Sequence, residues 1–384
     1  MQYSILQLTS SYLPRNIGGR EYYVRDLATG LARTNSYNVS ILTGDSIGDV
    51  DEHPENNLQI LRRHYYGIEI GGTFQYRIPH HVIQTLQKIK PDIVHAHDHL
   101  HSTSLLSALF KSQKSKLVLT IHSFPNYYTK FPLIRSGIFG YDYTLAPLIF
   151  RRADAIIHLS NHSISKLSTL QHFAKGRTYV IPNHFDSQEV DKNMSSSIQE
   201  QYGLDKYRVI FACSRIEERK GLQYLVRAFA TLSRQIDDVF LVISGNDAGY
   251  LNQLRLLVKQ QGIENRVLFT GFVSDGTLHS TMTHSAVFVI PSLVENVPIQ
   301  ILKAQYLQVP IIASNVGAIS EMVKNQEDGI LIEPADCVGL YQKLLYVLHN
   351  DTKELVHRAH ERVLKYSLQD MLNRTSQVYK DLLE

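Results

Sequence analysis

Cysteine is nearly missing from this chain, with Cys213 and Cys337 the only two in 384 residues. Two thiols cannot build a disulfide framework or a cysteine zinc site, so a reducing compartment is the simpler reading. Long apolar runs are lacking as well. No stretch of 18 or more uncharged apolar residues occurs, and the opening MQYSILQLTSSYLPR has neither a basic segment nor a long apolar one. Neither a spanning helix nor a signal peptide is expected, and the expected location is cytoplasmic. The segment Leu8-Thr-Ser-Ser-Tyr-Leu-Pro14 follows the first expected strand without a G-x-G-x-x-G loop, which disfavours a Rossmann dehydrogenase. The signature of disorder is also missing. Apolar residues make up 43% of the chain and charged ones 20%, which describes a folded protein whose length suits two or three domains.

Charge is present but unevenly spread. Residues 1–186 carry 19 Lys+Arg against 13 Asp+Glu, while the remainder carries 20 against 23. The basic excess concentrates between Lys111 and Arg152, where Lys111, Lys114, Lys116, Lys130, Arg135, Arg151 and Arg152 face Asp142 alone. They interleave with Phe131, Leu133, Ile134, Ile138, Phe139, Leu145, Leu148 and Phe150. That mixture suits an anionic membrane surface or a phosphate-bearing lipid. It equally suits a loop and helix that cover their own domain's core.

Short apolar runs alternate with helical patterns throughout, as β-α-β units and parallel sheets require. The expected strands of the first half are 4–8, 38–43, 58–62, 93–97, 117–122, 155–159 and 178–181, with helices over 19–33, 78–90, 103–112 and 163–172. A polar stretch, SQEVDKNMSSSIQEQ, lacks apolar periodicity and reads as a linker. The pattern then restarts, with strands over 209–213, 239–244, 267–269, 287–290, 311–314 and 329–332 and helices over 222–232, 251–261 and 299–308. Two open α/β halves are predicted. Ligands of such sheets bind beyond the carboxyl ends of the strands, so a cleft between the halves is the expected active site.

Two stretches carry the chemistry. Ser214-Arg-Ile-Glu-Glu-Arg-Lys-Gly221 runs from a buried strand into a helix, and the free amides of such a turn favour an anion beside Arg215 and Lys220. A diphosphate would fit there, although the same five charges also read as a solvated run. In Ile290-Pro-Ser-Leu-Val-Glu-Asn-Val-Pro-Ile-Gln-Ile-Leu-Lys-Ala304, a strand ends, a loop carries Glu295, and Pro298 stands where a helix can begin. A carboxylate in that place accepts hydrogen bonds from sugar hydroxyls, or simply caps the helix.

In order and spacing, these stretches resemble the retaining glycosyltransferases of the GT-B fold in the large family 4 group. The resemblance spans nearly the whole chain. It is carried by Gly18-Gly19-Arg-Glu21, Pro91-Asp-Ile-Val-His-Ala-His97, Thr120-Ile-His122, Ala153-Asp-Ala-Ile-Ile-His-Leu-Ser160 and Val180-Ile-Pro-Asn-His-Phe-Asp186. Further on it includes Arg215 with Lys220-Gly221, Ser244-Gly245, Thr270-Gly-Phe-Val273, Pro291-Ser292 through Glu295, Val309-Pro310 and Asn315-Val-Gly317 with Glu321.

The resemblance implies an acceptor-binding Rossmann-like domain over 1–185, with a C-terminal helix of about 367–384 packing back on it. A nucleotide-sugar-binding domain over 186–366 would face it across a cleft. It also implies transfer from a UDP- or GDP-sugar to a sugar or lipid-linked acceptor, with no metal and no nucleic acid. Arg215 and Lys220 would hold the diphosphate, Glu295 the donor sugar, and His122 would sit near the anomeric centre. Gly18, Gly19, Gly245, Phe272, Val273, Asn296, Val297 and Lys303 would complete the donor site, with the two glycines letting the backbone approach closely.

The chain departs from the family pattern at two places. Lys303 stands eight positions after Glu295, where the family has a second glutamate that binds the ribose hydroxyls, and His184 stands where glycine is usual. An ammonium has donors and no acceptor, so Lys303 is expected to add charge near the diphosphate or to pair with Glu295.

Two rivals follow from other features. A non-catalytic binding or partner subunit of the same fold is motivated by Lys303. A zinc hydrolase is motivated by His95, His97, Asp98, His99 and His101, residue types that zinc needs, with the alternative that these histidines line the cleft or the surface. Asp49-Val-Asp51 matches a D-x-D metal motif but lies in a polar stretch expected to be a solvated loop. Gly71-Gly72 and Gly249 are weak phosphate signals by themselves.

Overall fold

The structure, a computed structural model, describes residues 2–14, 18–45, 48–64, 66–70, 74–78, 81–123, 137, 140–192 and 194–384. The basic segment is therefore described only in part, and Lys130, Arg135 and the apolar residues 131, 133, 134, 138 and 139 lie outside the described residues, as do Gly71 and Gly72. The chain forms two units, residues 1–183 with 368–384 and residues 184–367. The second begins two residues before the expected boundary because Phe185 belongs to it. The Phe185 amide donates to the Tyr366 carbonyl, and its ring lies 4.9 Å from that of Tyr306.

Strands in the first unit are β1 (Tyr3–Thr9), β2 (Tyr37–Asp45), β3 (Val50–Glu55), β4 (Leu58–His64), β5 (Tyr66–Ile70), β6 (Phe74–Ile78), β7 (Ile93–His97), β8 (Lys116–Ile121), β9 (Ala155–His158) and β10 (Arg177–Val180). Eight of them form one sheet in the order β10-β9-β8-β7-β1-β2-β4-β3, and β5 pairs β6 as a hairpin. All pairs of the large sheet are parallel except β3 with β4. The inner strands are buried on both faces, as parallel sheets covered by helices must be. In β7, β8 and β9 this gives the runs IVHAH, LVLTI and AIIH.

Helix Leu368–Leu383 completes this unit by packing against helix Gly19–Arg33. Leu372 presses on Gly30, where an added Cβ would meet its Cδ1 at 2.4 Å. The hydroxyl of fully buried Tyr379 lies 2.5 Å from His95 Nδ1, while His95 Nε2 meets Thr120 Oγ1 at 2.6 Å.

The second unit holds β11 (Arg208–Cys213), β12 (Val239–Ser244), β13 (Val267–Gly271), β14 (Val287–Ile290), β15 (Ile311–Ser314) and β16 (Ile330–Ile332), all parallel in the order β13-β12-β11-β14-β15-β16. This is the 3-2-1-4-5-6 order of a doubly wound nucleotide-binding sheet, whose switch point lies between its first and fourth strands. Phe211 and Phe288 pack across that junction, with ring centroids 5.7 Å apart.

Four expectations need correction. Val50 and Asp51 do not lie in a loop: Val50–Glu55 is an exposed edge strand, with Asp51 paired to Arg63, and Asp49 just before it accepts the His64 amide. The helix expected from Ile78 starts at His81, because Ile78 closes the β5–β6 hairpin. The helix expected over 163–172 breaks at Leu167, giving Asn161–Lys166 and Ser168–Gln171. The polar linker contains helices Ser187–Lys192 and Ile198–Tyr202. The second is one turn fixed by a capping box, with the Ser197 hydroxyl accepting the Glu200 amide and the Glu200 carboxylate accepting the Ser197 amide.

Tyr379→Phe leaves the buried His95 Nδ1 without its partner. The expected loss is about 1–3 kcal/mol of unfolding free energy, read by urea titration; an unchanged midpoint would show that the bond contributes nothing.

Candidate active site

In the second unit, the loops after β11 and β14 leave neighbouring strands at the switch point, and their backbones touch there. Gly221 follows the short turn Glu218–Lys220 with φ +67° and opens helix Leu222–Leu232. A Cβ on it would lie 1.9 Å from the Pro291 carbonyl oxygen, so glycine alone permits the contact. The Leu293 amide donates to the Arg219 carbonyl at 2.8 Å. From the loop after β15, Gly317 with φ +61° comes equally close to the Glu295 carbonyl.

These contacts bring Lys220 Nζ to 2.5 Å from Glu295 Oε1, and the Ser292 hydroxyl donates to the same oxygen at 2.9 Å. The two charged side chains are only 12% and 11% exposed. Burial opposes ionisation of Glu295, but the Lys220 ammonium, with Arg219 and Ser292, outweighs it and holds the carboxyl below its ordinary value. Arg215 is 54% exposed and shares Glu217 with Arg219, at 3.4 and 2.7 Å. Three cations thus share two buried acids where a helix begins, with exposed Glu218 in the same turn.

Gly245 stitches the neighbouring loops, since its amide donates to the Gly271 carbonyl at 2.8 Å. Phe272 is exposed, Val273 half-buried and Val297 buried. The Asn296 carbonyl accepts the Ala318 amide. Lys303 does not pair with Glu295, which Lys220 already holds. Its Nζ lies 3.5 Å from Asp275 Oδ1, at the start of helix Asp275–Thr283. Burial pushes the nearby Cys213 thiol up to about 12, and Lys303 only partly counters it.

In the first unit the switch point falls between β1 and β7. Gly18 caps helix Gly19–Arg33 in an extended conformation open to any residue. Its crowding comes from Glu21, whose Oε2 lies 2.7 Å from where a Cβ would be, while Gly19 is exposed. Arg20 reaches Ser11 Oγ at 2.6 Å, Glu21 at 2.9 Å and His101 Nε2 at 2.5 Å.

His122, just after β8, is held by Asp98 and His97, which the sequence reading named as zinc candidates, and by Tyr23, which it left out. Asp98 Oδ1 accepts the amides of His122 at 2.7 Å and Ser123 at 2.8 Å. His122 Nε2 lies 2.9 Å from His97 Nδ1, and the Tyr23 ring meets the imidazole edge-on at 4.8 Å. The one signal for this role was position: Asp98 and His97 end the strand beside β1.

The histidine cluster does not converge. His95 and His97 share a face of β7 and stack at 4.5 Å. The chain turns at Asp98, φ +66°, so His99 packs instead on Phe150 and Asp142. Among the described residues no group of three His, Cys, Asp or Glu side chains is arranged to hold a metal. His95, His97 and His99 are fully buried rather than lining a surface.

Residues 195–366 match the family described as Glycosyl transferases group 1, and residues 17–189 match Glycosyltransferase Family 4. An uncharacterized glycosyltransferase of Methanocaldococcus jannaschii is 26% identical over 99% of this chain and 98% of its own. A GDP-mannose-dependent alpha-(1-6)-phosphatidylinositol monomannoside mannosyltransferase of Mycobacterium tuberculosis is 28% identical over 47% of this chain and 49% of its own. Among solved structures, Anabaena HepE in complex with UDP and glucose is 18% identical, covers 99% of this chain and 100% of its own, and has a TM-score of 0.76.

Reversing one charge of the Lys303–Asp275 pair separates its role from that of its neighbours. Lys303→Glu places two carboxylates side by side and is expected to destabilise the second unit by about 1–3 kcal/mol. The double swap Asp275→Lys with Lys303→Glu should recover most of that loss in denaturant titration, and additive effects would show that the two side chains do not interact.

Proposed function

The chain belongs to the family 4, group 1 glycosyltransferases, and we propose that it moves a sugar from a nucleoside diphosphate sugar to an acceptor hydroxyl with retention of anomeric configuration. The observation that carries this reading is the Lys220–Glu295 pair at the switch point of the second unit, with Arg215 exposed beside it. As the glycosidic bond breaks, negative charge builds on the leaving diphosphate. Arg215 and Lys220 are fixed cations aimed at that charge, and Glu295 accepts hydrogen bonds from the donor sugar. Because the protein supplies the countercharge, the transfer runs without a divalent metal.

Gly245, Phe272, Val273, Asn296 and Val297 line the donor side. Lys303, held by Asp275, takes the place of the ribose-binding acid and leaves acceptance from ribose to Asp275. The first unit provides the acceptor side, where His122 orients the sugar or acceptor hydroxyl and Gly18-Gly19 opens helix Gly19–Arg33.

A lipid-linked acceptor at an anionic membrane surface, on the cytoplasmic face, is favoured by exposed Lys114, Arg151, Arg152, Tyr143 and Leu145. One relative bears the name of a phosphatidylinositol mannoside mannosyltransferase. No helix among the described residues is long and apolar enough to cross a membrane. A second reading, a partner subunit without activity, draws on Lys303 and is excluded by any transfer or hydrolysis of a nucleotide sugar by the pure protein.

Against a panel of UDP- and GDP-sugars, with products identified by mass spectrometry and NMR, Arg215→Ala and Lys220→Ala should each lower kcat/KM by about 100-fold or more. Wild-type turnover should persist in excess chelator. Near-normal rates in both variants would remove these cations from the donor site, and chelator-sensitive activity restored by one metal would overturn the metal-free reading.

A further inference from the structure

The surroundings of His122 determine where its ring proton sits. His97 and Gln7 are both fully buried on neighbouring strands, β7 and β1. His97 Nδ1 lies 2.9 Å from His122 Nε2, and His97 Nε2 lies 3.3 Å from Gln7 Oε1. Burial, reinforced by the stacked His95 ring and the Arg20 guanidinium, holds the His97 imidazolium well below its ordinary pKa, so His97 is neutral.

A neutral imidazole has one N–H and one lone pair. The Gln7 oxygen can only accept, so the His97 proton is on Nε2 and its lone pair is on Nδ1. That lone pair requires an N–H from His122, which must then come from Nε2. From the other side, Asp98 fixes the main chain by accepting the His122 and Ser123 amides and the Ser123 hydroxyl, the last at 3.1 Å. Asp98 is held below its ordinary value although it is buried, with Arg20 3.4 Å away and the Ser123 amide donating to it.

Resting on the reading that His122 serves the transfer, we propose that Gln7 and His97 form a buried relay that holds His122 as the Nε2–H tautomer. Gln7, His97 and Asp98 are positioning residues. Gln7 sets the orientation of the His97 proton, His97 sets that of His122, and Asp98 holds the backbone from which the ring extends. No proton need leave the relay during turnover, because only its order matters.

The test reads the tautomer directly. In full-length protein labelled with 15N-histidine, long-range 1H–15N correlation at pH 8, assigned with His122→Gln, should show His122 with a protonated Nε2 and an unprotonated Nδ1. An Nδ1–H tautomer, or averaging of the two nitrogens in the wild type, overturns the proposal. Gln7→Leu removes the acceptor, so the two His122 nitrogens should then average, while kcat for UDP-glucose or GDP-mannose turnover falls about tenfold at unchanged KM. A Gln7→Leu protein that keeps the wild-type tautomer also overturns it. The underlying reading fails differently: a fixed Nε2–H tautomer together with full activity in His122→Ala would remove His122 from the reaction and leave the relay standing.

Discussion

Contact between backbones, rather than between side chains, is the constraint on which the second unit's candidate site depends. Two loops approach the chain after β14 so closely that a Cβ at Gly221 or Gly317 would overlap a carbonyl oxygen of Pro291 or Glu295. Main-chain geometry therefore fixes the separation of the Lys220 and Glu295 anchors, leaving little rotamer freedom to lose when the pair forms. A buried carboxylate without a partner would be costly and would take up a proton. The 2.5 Å contact with Lys220 keeps it charged instead. Arg215 is the most exposed cation of the group, and it is the member that an incoming anion would meet with the least desolvation.

The first unit solves a similar problem with a carboxylate. At the end of β7 the chain turns through Asp98 at φ +66°, a conformation that Asp tolerates better than most residues. The side chain of that residue satisfies the first two amides after β8. One residue thus terminates a strand, supports the neighbouring loop and binds Arg20 at 3.4 Å. Arg20 in turn reaches back to Ser11 after β1, so the loops after three adjacent strands form a single hydrogen-bonded layer. The buried imidazoles above it remain neutral because that environment strongly disfavours added protons.

Much of this was legible in the sequence, for a physical reason. Strands buried on both faces must read as apolar runs, and Val209 to Cys213 or Val239 to Ser244 can be little else. The edge strand Val50–Glu55 was hidden because it has no buried face, leaving its residues polar and its pattern that of a loop. Ile198–Tyr202 was hidden because five residues are too short for a helical period, although Ser197 and Glu200 spell its capping box. In the site, Arg215, Lys220 and Glu295 could be picked out because each sits in a short strand-to-helix turn. Gln7 could not, and His97 was read as a zinc candidate, since their meaning lies in which ring nitrogen faces which oxygen across three strands.

Lys303 shows how a local departure is absorbed by a distant residue. Taken alone, a lysine in the place of an acid reverses the charge of its pocket. Asp275, twenty-eight positions earlier in the chain and on a different helix, lies 3.5 Å away and restores neutrality. Its helix is capped by Ser274, whose hydroxyl accepts the Thr277 amide, so the carboxylate belongs to a rigid first turn. The pair therefore exchanges one acceptor for an acceptor and a donor at nearly the same place. Lys303 adds no net charge to its surroundings, because Asp275 matches it. What it changes is the pattern of hydrogen-bond donors and acceptors offered there, and specificity for any ligand follows from such patterns more than from net charge.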